Sequence, residues 1–422
     1  MRSSPALPAA AVTAAAVVLS ACVVVAACGG AGRVTPRPAG TGAGLGLPGA
    51  PPSAGPAAPP AAPSIMPSGL PAIAPPGAIA TAPRQPGTFT LVASGDVLLH
   101  DAVSRQAGAD GGGRRDYRAI MAAIKPVVAG ADLALCHLET PLAPPSGPFT
   151  GYPDFSVPQE IVPALADAGY DSCSTASNHT LDNGAEGVAR TLGALDRNGI
   201  RHAGSARSPA EAATPTILRA NGVPVAQLSY TYGFNGRRLP MGKPWIANQI
   251  STARILADAR RARDAGAKVV VVSMHWGAEY EHEPTGGQVE LARTLLASRA
   301  IDLIVGHHVH VVQPFGQATN GKWVAYGLGN LVAAHQGPAA GARYEGMIAR
   351  FTFAPSGRRW RATGAELVPT FIDRGPPYRL VNVTAALADP ALDAARRTRL
   401  AAVAQRTYRI ARSRGTRVML AR

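Results

Sequence analysis

The chain has 422 residues, 46% of them hydrophobic, with a formal charge of +15 that raises nucleic acid as a partner. Nine Arg and no acidic residue fall between Arg396 and Arg422, so more than half of that charge is local. Aromatics are only 5% and no basic–aromatic interleaving occurs, which excludes nucleic acid as the expected partner. A lipid headgroup surface or an acidic polymer suits the tail better, with a solvated helix end as the plain alternative.

The N-terminus reads as an export signal. Arg2 precedes an almost wholly apolar run from Ala9 to Ala27, which ends at Cys28-Gly29-Gly30. Small residues directly before Cys resemble a bacterial lipoprotein signal, and Leu19-Ser20-Ala21-Cys22 and Val25-Ala26-Ala27-Cys28 both fit. Cys28 is preferred because it ends the apolar run. The expectation is a signal peptide over 1–28, lipidation at Cys28 and a location on the extracytoplasmic face of the bacterial plasma membrane. An uncleaved span would put the rest of the chain on the same side. Residues 29–87 are Pro, Ala and Gly with almost no charge, a composition that buries no core and reads as a disordered linker. Cys136 and Cys173 are compatible with a disulfide or with two buried thiols.

From Thr88 the texture changes. Phe89–Ser94, Asp132–Cys136, Tyr170–Thr175, Val223–Tyr230, Lys268–Ser273, Ile301–Val305 and Trp323–Tyr326 read as short strands. Ile161–Ala168, Gly187–Asn198, Ser251–Ala265 and Gln288–Ser298 read as helices between them. The alternation predicts an α/β layered domain, with antiparallel strands entering near Ala349. The domain is expected over 88–380, followed by a basic helical tail over 381–422.

Polar residues cluster where the strands end. Asp96, Glu139, Asn178-His179, His275 and His308/His310 each follow a predicted strand, and the functional edge of an open α/β sheet is where strands end. Three of the ten histidines fall in Gly306-His307-His308-Val309-His310 alone. Carboxylate, amide and imidazole donors without thiolate suit Mn, Zn or Fe, with one or two ions.

Six ordered motifs carry a resemblance. They are Gly95-Asp96-Val97-Leu98-Leu99, Leu138-Glu139-Thr140-Pro141-Leu142, Ser177-Asn178-His179-Thr180-Leu181-Asp182-Asn183-Gly184, His275-Trp276-Gly277-Ala278-Glu279-Tyr280, Gly306-His307-His308-Val309-His310-Val311-Val312-Gln313-Pro314 and Tyr326-Gly327-Leu328-Gly329-Asn330. The set resembles the CapA family of poly-γ-glutamate capsule biosynthesis proteins, within the calcineurin-like metallophosphoesterase superfamily. The resemblance implies a four-layer α/β/β/α fold, with metal ligands at Asp96, Glu139, Asn178, His275, His308 and His310. It further implies Asp96 and His179 as catalytic residues, Glu279 and Asn330 at the substrate, and His307 as a spacer. One departure stands out: the superfamily's Asp-x-His has Leu98 in the His position, and His100 does not restore the spacing.

The expected function is that of a membrane-anchored metal-dependent hydrolase of the phosphoesterase type. It would act in capsule or cell-envelope polymer synthesis, on an acidic polymer such as poly-γ-glutamate or on an envelope phosphoester, with capsule synthesis or export partners. The alternative is a non-hydrolytic binding or export scaffold for an acidic polymer, since fold alone does not fix chemistry.

Overall fold

The computed structural model describes residues 87–336 and 338–421. The signal peptide over 1–28, lipidation at Cys28 or Cys22 and the linker up to residue 86 lie outside the described residues. Among the described residues no helix is long and apolar enough to cross a membrane.

The strands are β1 (Phe89–Val97), β2 (Leu133–Leu138), β3 (Ser172–Ser174), β4 (Arg201–Ala203), β5 (Thr216–Ala220), β6 (Val223–Thr231), β7 (Val269–His275), β8 (Leu303–His307), β9 (Phe315–Gln317), β10 (Trp323–Ala325), β11 (Asn330–Val332), β12 (Glu345–Ser356), β13 (Arg359–Ile372), β14 (Leu380–Asn382) and β15 (Met419–Leu420). They form two sheets. The first runs β14-β13-β12-β1-β2-β3-β4, with β11 added beside β1 and β15 beside β13; the second runs β5-β6-β7-β8-β10-β9. Parallel pairing holds from β1 through β4 and from β6 through β8 and on to β10. The antiparallel entry expected near Ala349 is β12, whose Ala349 faces Ala93 of β1.

The helices are α1 (Asp101–Asp110), α2 (Arg118–Met121), α3 (Lys125–Ala129), α4 (Ile161–Ala168), α5 (Gly184–Arg197), α6 (Pro209–Ala213), α7 (Thr252–Asp264), α8 (Gly286–Ala297), α9 (Val383–Ala388) and α10 (Ala394–Ala411). Their starts follow from capping chemistry. Ser251 accepts from the Arg254 backbone N–H at the head of α7, and Thr285 with Gln288 closes a reciprocal capping box on α8.

Strand period decides the layers. Leu91, Ala93, Leu133, Leu135, Val269, Val271, Leu303 and Val305 pack together between the sheets. Their alternates Val92, Ala134 and Cys136 pack under α1, α2, α4 and α5, whereas Val270, Val272 and Ile304 pack under α7 and α8. The order is α/β/β/α, as the resemblance implied. Cys136 and Cys173, register partners on β2 and β3, form a disulfide.

The structure corrects the boundary expected after residue 380. Strand β14 pairs with β13, and α10 buries Leu400 and Val403 in the outer core. Strand β15 then extends the sheet beside β13. Arg406 Nε donates to Glu345 at 2.8 Å, and Arg396 makes two hydrogen bonds to Asp373 at 2.8 and 3.0 Å. Arg414 also comes within 3.9 Å of Glu283, so three of the tail's nine Arg reach acidic groups of the domain, which the local run of charge concealed.

Leu400→Ala should therefore destabilise the whole domain by about 2–5 kcal/mol, the usual range for truncating a buried leucine. Urea unfolding followed by tryptophan fluorescence measures it, and an unchanged midpoint would restore the tail to the status of an appendage.

Candidate metal centre

The site lies where the C-terminal ends of the central strands of the two sheets meet. Leu133 and Leu135 face the second sheet, so the period of two carries His137 to the same side. The same alternation carries Val269 and Val271 on to His275, and Leu303 and Val305 on to His307. Register then sets neighbours. Asp96 lies opposite His137 of β2 and Asn330 of β11, His137 lies opposite Ser174 of β3, and His275 lies opposite His307.

Beyond β8 the backbone turns sharply to present two more imidazoles. His308 has φ +88° and His310 φ +57°, a left-handed conformation that non-glycine residues adopt at a cost. Asp96 and Asn330 hold this turn. The Asp96 Oδ2 accepts from the His308 backbone N–H at 3.1 Å, and Asn330 Oδ1 lies 3.0 Å from His310 Nδ1. Gly306 is required just before the turn, because a Cβ there would sit 1.8 Å from the Tyr326 carbonyl oxygen.

The polar atoms converge tightly. Asp96 Oδ1 lies 3.1 Å from His307 Nδ1, and its Oδ2 lies 3.2 Å from His310 Nδ1. His310 Nε2 is 3.7 Å from Glu139 Oε1, and His275 Nε2 is 2.7 Å from Asn178 Oδ1. The His308 ring packs against those of His275 and Tyr232, each at 4.6 Å between centroids. Four groups of three side chains bring their ligating atoms within 4.8 Å: Asp96–His137–His307, His137–Glu139–His275, Asp96–Glu139–His310 and Glu279–His308–His310.

These residues fit a divalent cation. Both Glu139 carboxylate oxygens are buried without a hydrogen-bond partner, and so is Nδ1 of His308. A buried carboxylate with no donor is costly unless a positive charge faces it. Nitrogen and oxygen donors without thiolate suit Mn, Zn or Fe.

The protein's own charges reflect the same strain. Burial would raise the Asp96 carboxyl, but hydrogen bonds from His307 and His310 hold it well below the usual carboxylate range. Burial pushes Glu139 well up, against the pull of His310. Burial would lower His310, yet Glu139 and Asp96 push it up to about 9. Burial and then His310 lower His308 to about 3, and burial also lowers His275 and His137. These three rings are therefore neutral and keep a lone pair at neutral pH, the form a cation binds.

Beside this cluster, His179 Nδ1 donates to Asp182 Oδ2 at 2.7 Å, and the same oxygen accepts from the Phe155 backbone N–H at 2.9 Å. The Phe155 ring meets His179 edge-on at 4.8 Å. Asp182 thereby fixes the imidazole plane.

All six expected ligands, Asp96, Glu139, Asn178, His275, His308 and His310, fall in this one place. Glu279 stands exposed at the rim, within reach of His308 and His310. Several readings need correction. His307 is no spacer: it is buried and bonded to Asp96. Asn330 is not placed to meet substrate, because its oxygen faces His310 and its amide donates to the Arg343 carbonyl at 2.8 Å. Asp96 has no exposure, and its two oxygens meet His307 and the His308 backbone N–H. His137 went unrecognised because the predicted strand stopped at Cys136; extending the alternation by one residue finds it. Leu98 lies in the outer core, so no imidazole comes from the Asp-x-His position.

The family described as "Bacterial capsule synthesis protein PGA_cap" matches residues 90–335. The "PGA biosynthesis protein CapA" of Bacillus subtilis (strain 168) is 29% identical over 253 residues, covering 56% of this chain and 61% of that protein. The "Capsule biosynthesis protein CapA" of Bacillus anthracis is 32% identical over 180 residues, covering 42% of this chain and 43% of that protein. The chain thus spans less than two thirds of the length of either relative. Among solved structures, a phosphatase from Mycoplasma pneumoniae aligns at 10% identity and a TM-score of 0.43, covering 67% of this chain and 93% of that one. With the match extending from the first strand to the last residues around the centre, the chain belongs to the PGA_cap family of bacterial capsule synthesis proteins.

Proposed function

We propose that the chain is a metal-dependent hydrolase of the phosphoesterase type, acting in the synthesis of poly-γ-glutamate or another acidic envelope polymer outside the cytoplasm. The observation that carries the hydrolytic reading is the orphaned Glu139 carboxylate among buried imidazoles, beside a His179–Asp182 pair placed for proton transfer. The polymer is proposed from the printed names of the Bacillus relatives. The location is proposed from the lipoprotein-like residues before Cys28, and the Cys136–Cys173 disulfide suits an oxidising compartment.

Asp96, Glu139, Asn178, His275, His308 and His310 would hold one or two divalent ions. When bound, the metal supplies Lewis acidity, which neutralises charge on the attacked group and acidifies a water. The protein supplies the rest. Asp182 accepts the Nδ1 proton of His179 and orients the ring, so Nε2 can hand a proton to the leaving oxygen. Burial of the Asp96 and Glu139 side chains keeps solvent from screening their charge. Arg343, stacked at 3.5 Å on the Tyr280 ring beside Glu279, offers a cation at the rim for an anionic substrate.

Full-length protein in detergent, stripped of metal and reloaded with Mn or Zn, should unfold at a higher temperature, and a chelator should reverse the gain. With free metal at about 100 times Kd the stabilisation is about 2.7 kcal/mol. A melting temperature indifferent to Mn, Zn and Fe would remove the metal from this reading.

Hydrolysis of phosphoesters and cleavage of poly-γ-glutamate should then be assayed side by side. His179→Gln should keep its metal and lose about 10²–10⁴-fold in kcat. His308→Ala/His310→Ala should lose metal and activity together. Retention of both by the double variant would overturn the site, and metal binding with neither activity would leave a polymer-binding scaffold.

A further inference from the structure

The ligand set leaves His137 and His307 without a function, although both are among the most buried polar side chains, at 0% and 2% exposure. Their rings stack on each other at 4.2 Å, within 17° of parallel, directly under the centre. A chain of hydrogen-bonded groups runs from β3 through His137 to His275 and Asn178.

Ser174 Oγ lies 3.2 Å from the Cys136 carbonyl oxygen, which can only accept, so the hydroxyl proton points there. His137 Nδ1 lies 2.8 Å from the same Oγ, and with the hydroxyl proton on the carbonyl it is the imidazole that donates. A neutral imidazole carries one N–H, so Nε2 of His137 keeps its lone pair. That lone pair faces His275 Nδ1 at 2.9 Å, and His275 must donate. His275 Nε2 is therefore left unprotonated, 2.7 Å from Asn178 Oδ1. The Asn178 NH2 donates to Asn235 Oδ1 at 3.1 Å, which directs the Asn178 oxygen at His275. Two acceptors face each other with no proton between them, an arrangement that a shared cation stabilises and that water-free protein does not. On the other side of the stack, His307 Nδ1 holds Asp96 Oδ1 at 3.1 Å.

We propose that His137 and His307 form a supporting layer beneath the metal centre. In it, His137 fixes the Nδ1–H tautomer of His275 so that Nε2 offers its lone pair to a divalent cation, and His307 orients Asp96. This rests on the metal reading of the site. It excludes His137 as a ligand, although two of the four convergent groups contain it. Partners in this position fix the tautomer, the ring orientation and the basicity of a ligating histidine. The layer also answers the absence of an imidazole at Leu98: the strand next to Asp96 supplies one at His137, but behind the ligands and not among them.

The test uses the full-length protein, with zinc as the probe. In metal-free wild type, long-range ¹⁵N–¹H correlation of the histidine rings should show the Nδ1–H tautomer for both His137 and His275. An Nε2–H tautomer at His137 overturns the proposal, and this measurement needs no metal and no variant. His137→Phe keeps a ring to stack on His307 but removes the acceptor. Competition against a chromophoric chelator should show zinc affinity falling about 10–100-fold with the zinc-to-protein ratio unchanged. Loss of one zinc equivalent would make His137 a ligand and overturn the proposal, as would unchanged affinity. His137→Asn, which restores an acceptor, should recover part of the lost affinity. Wild type that binds no zinc would instead overturn the metal reading, while the tautomers still decide the relay.

Discussion

Two carboxylates and five imidazoles share the seam where the two sheets end, and none of the seven is more than 4% exposed. Burying so many ionisable groups is tolerable only when each finds a partner or a counter-charge. Asp96 finds His307, His310 and a backbone N–H, and His275 finds His137. Glu139 finds no hydrogen-bond donor. A divalent cation at that point satisfies Glu139 and uses the lone pairs its neighbours are forced to keep. The rest of the architecture serves to hold these groups still.

Rigidity comes from sheet register more than from loops. Asp96, His137 and Ser174 sit on three adjacent parallel strands, and His275 and His307 are paired across two more. The Cys136–Cys173 disulfide joins β2 to β3 one residue before His137 and Ser174. It therefore clamps the two strands immediately beside the relay, where a slip of one residue would turn His137 to the opposite face. Helix α10 and strand β15 close the first sheet on its far side, using Arg396 and Arg406 as internal ties. The left-handed turn at His308 and His310 is a place where the backbone itself is strained, and it is held by Asp96 and Asn330, members of the same cluster.

Much of the centre was legible because strand ends mark themselves. Apolar runs that break at Asp96, Asn178, His275 and His308 announce a common edge, and the six motifs fix their order. What escaped was anything one residue inside a strand. His137 lies within β2, one residue past the predicted strand end at Cys136, so it was not singled out. His307 lies at the end of β8 beside two more obvious histidines, so it passed as a spacer. Asn330 was placed at the substrate by the resemblance alone, whereas β11 inserts it beside β1 with its oxygen facing His310. The basic tail failed for a different reason. Charge counting cannot show that Asp373 and Glu345 wait elsewhere in the chain for two of those Arg.

The sequence by itself determined the alternation of strands and helices and the chemical types brought to the strand ends, while the four layers came only from the resemblance its motifs carry. It did so because hydrophobic period and residue chemistry are local properties, readable within a few positions. Which histidine meets which carboxylate, hydroxyl or neighbouring imidazole was decided only in three dimensions. Those choices depend on residues 38 to 212 positions apart meeting within about 3 Å, such as Ser174 with Cys136 and His308 with Asp96. Hydrogen-bond direction is a property of such meetings, and no single segment of the chain contains it.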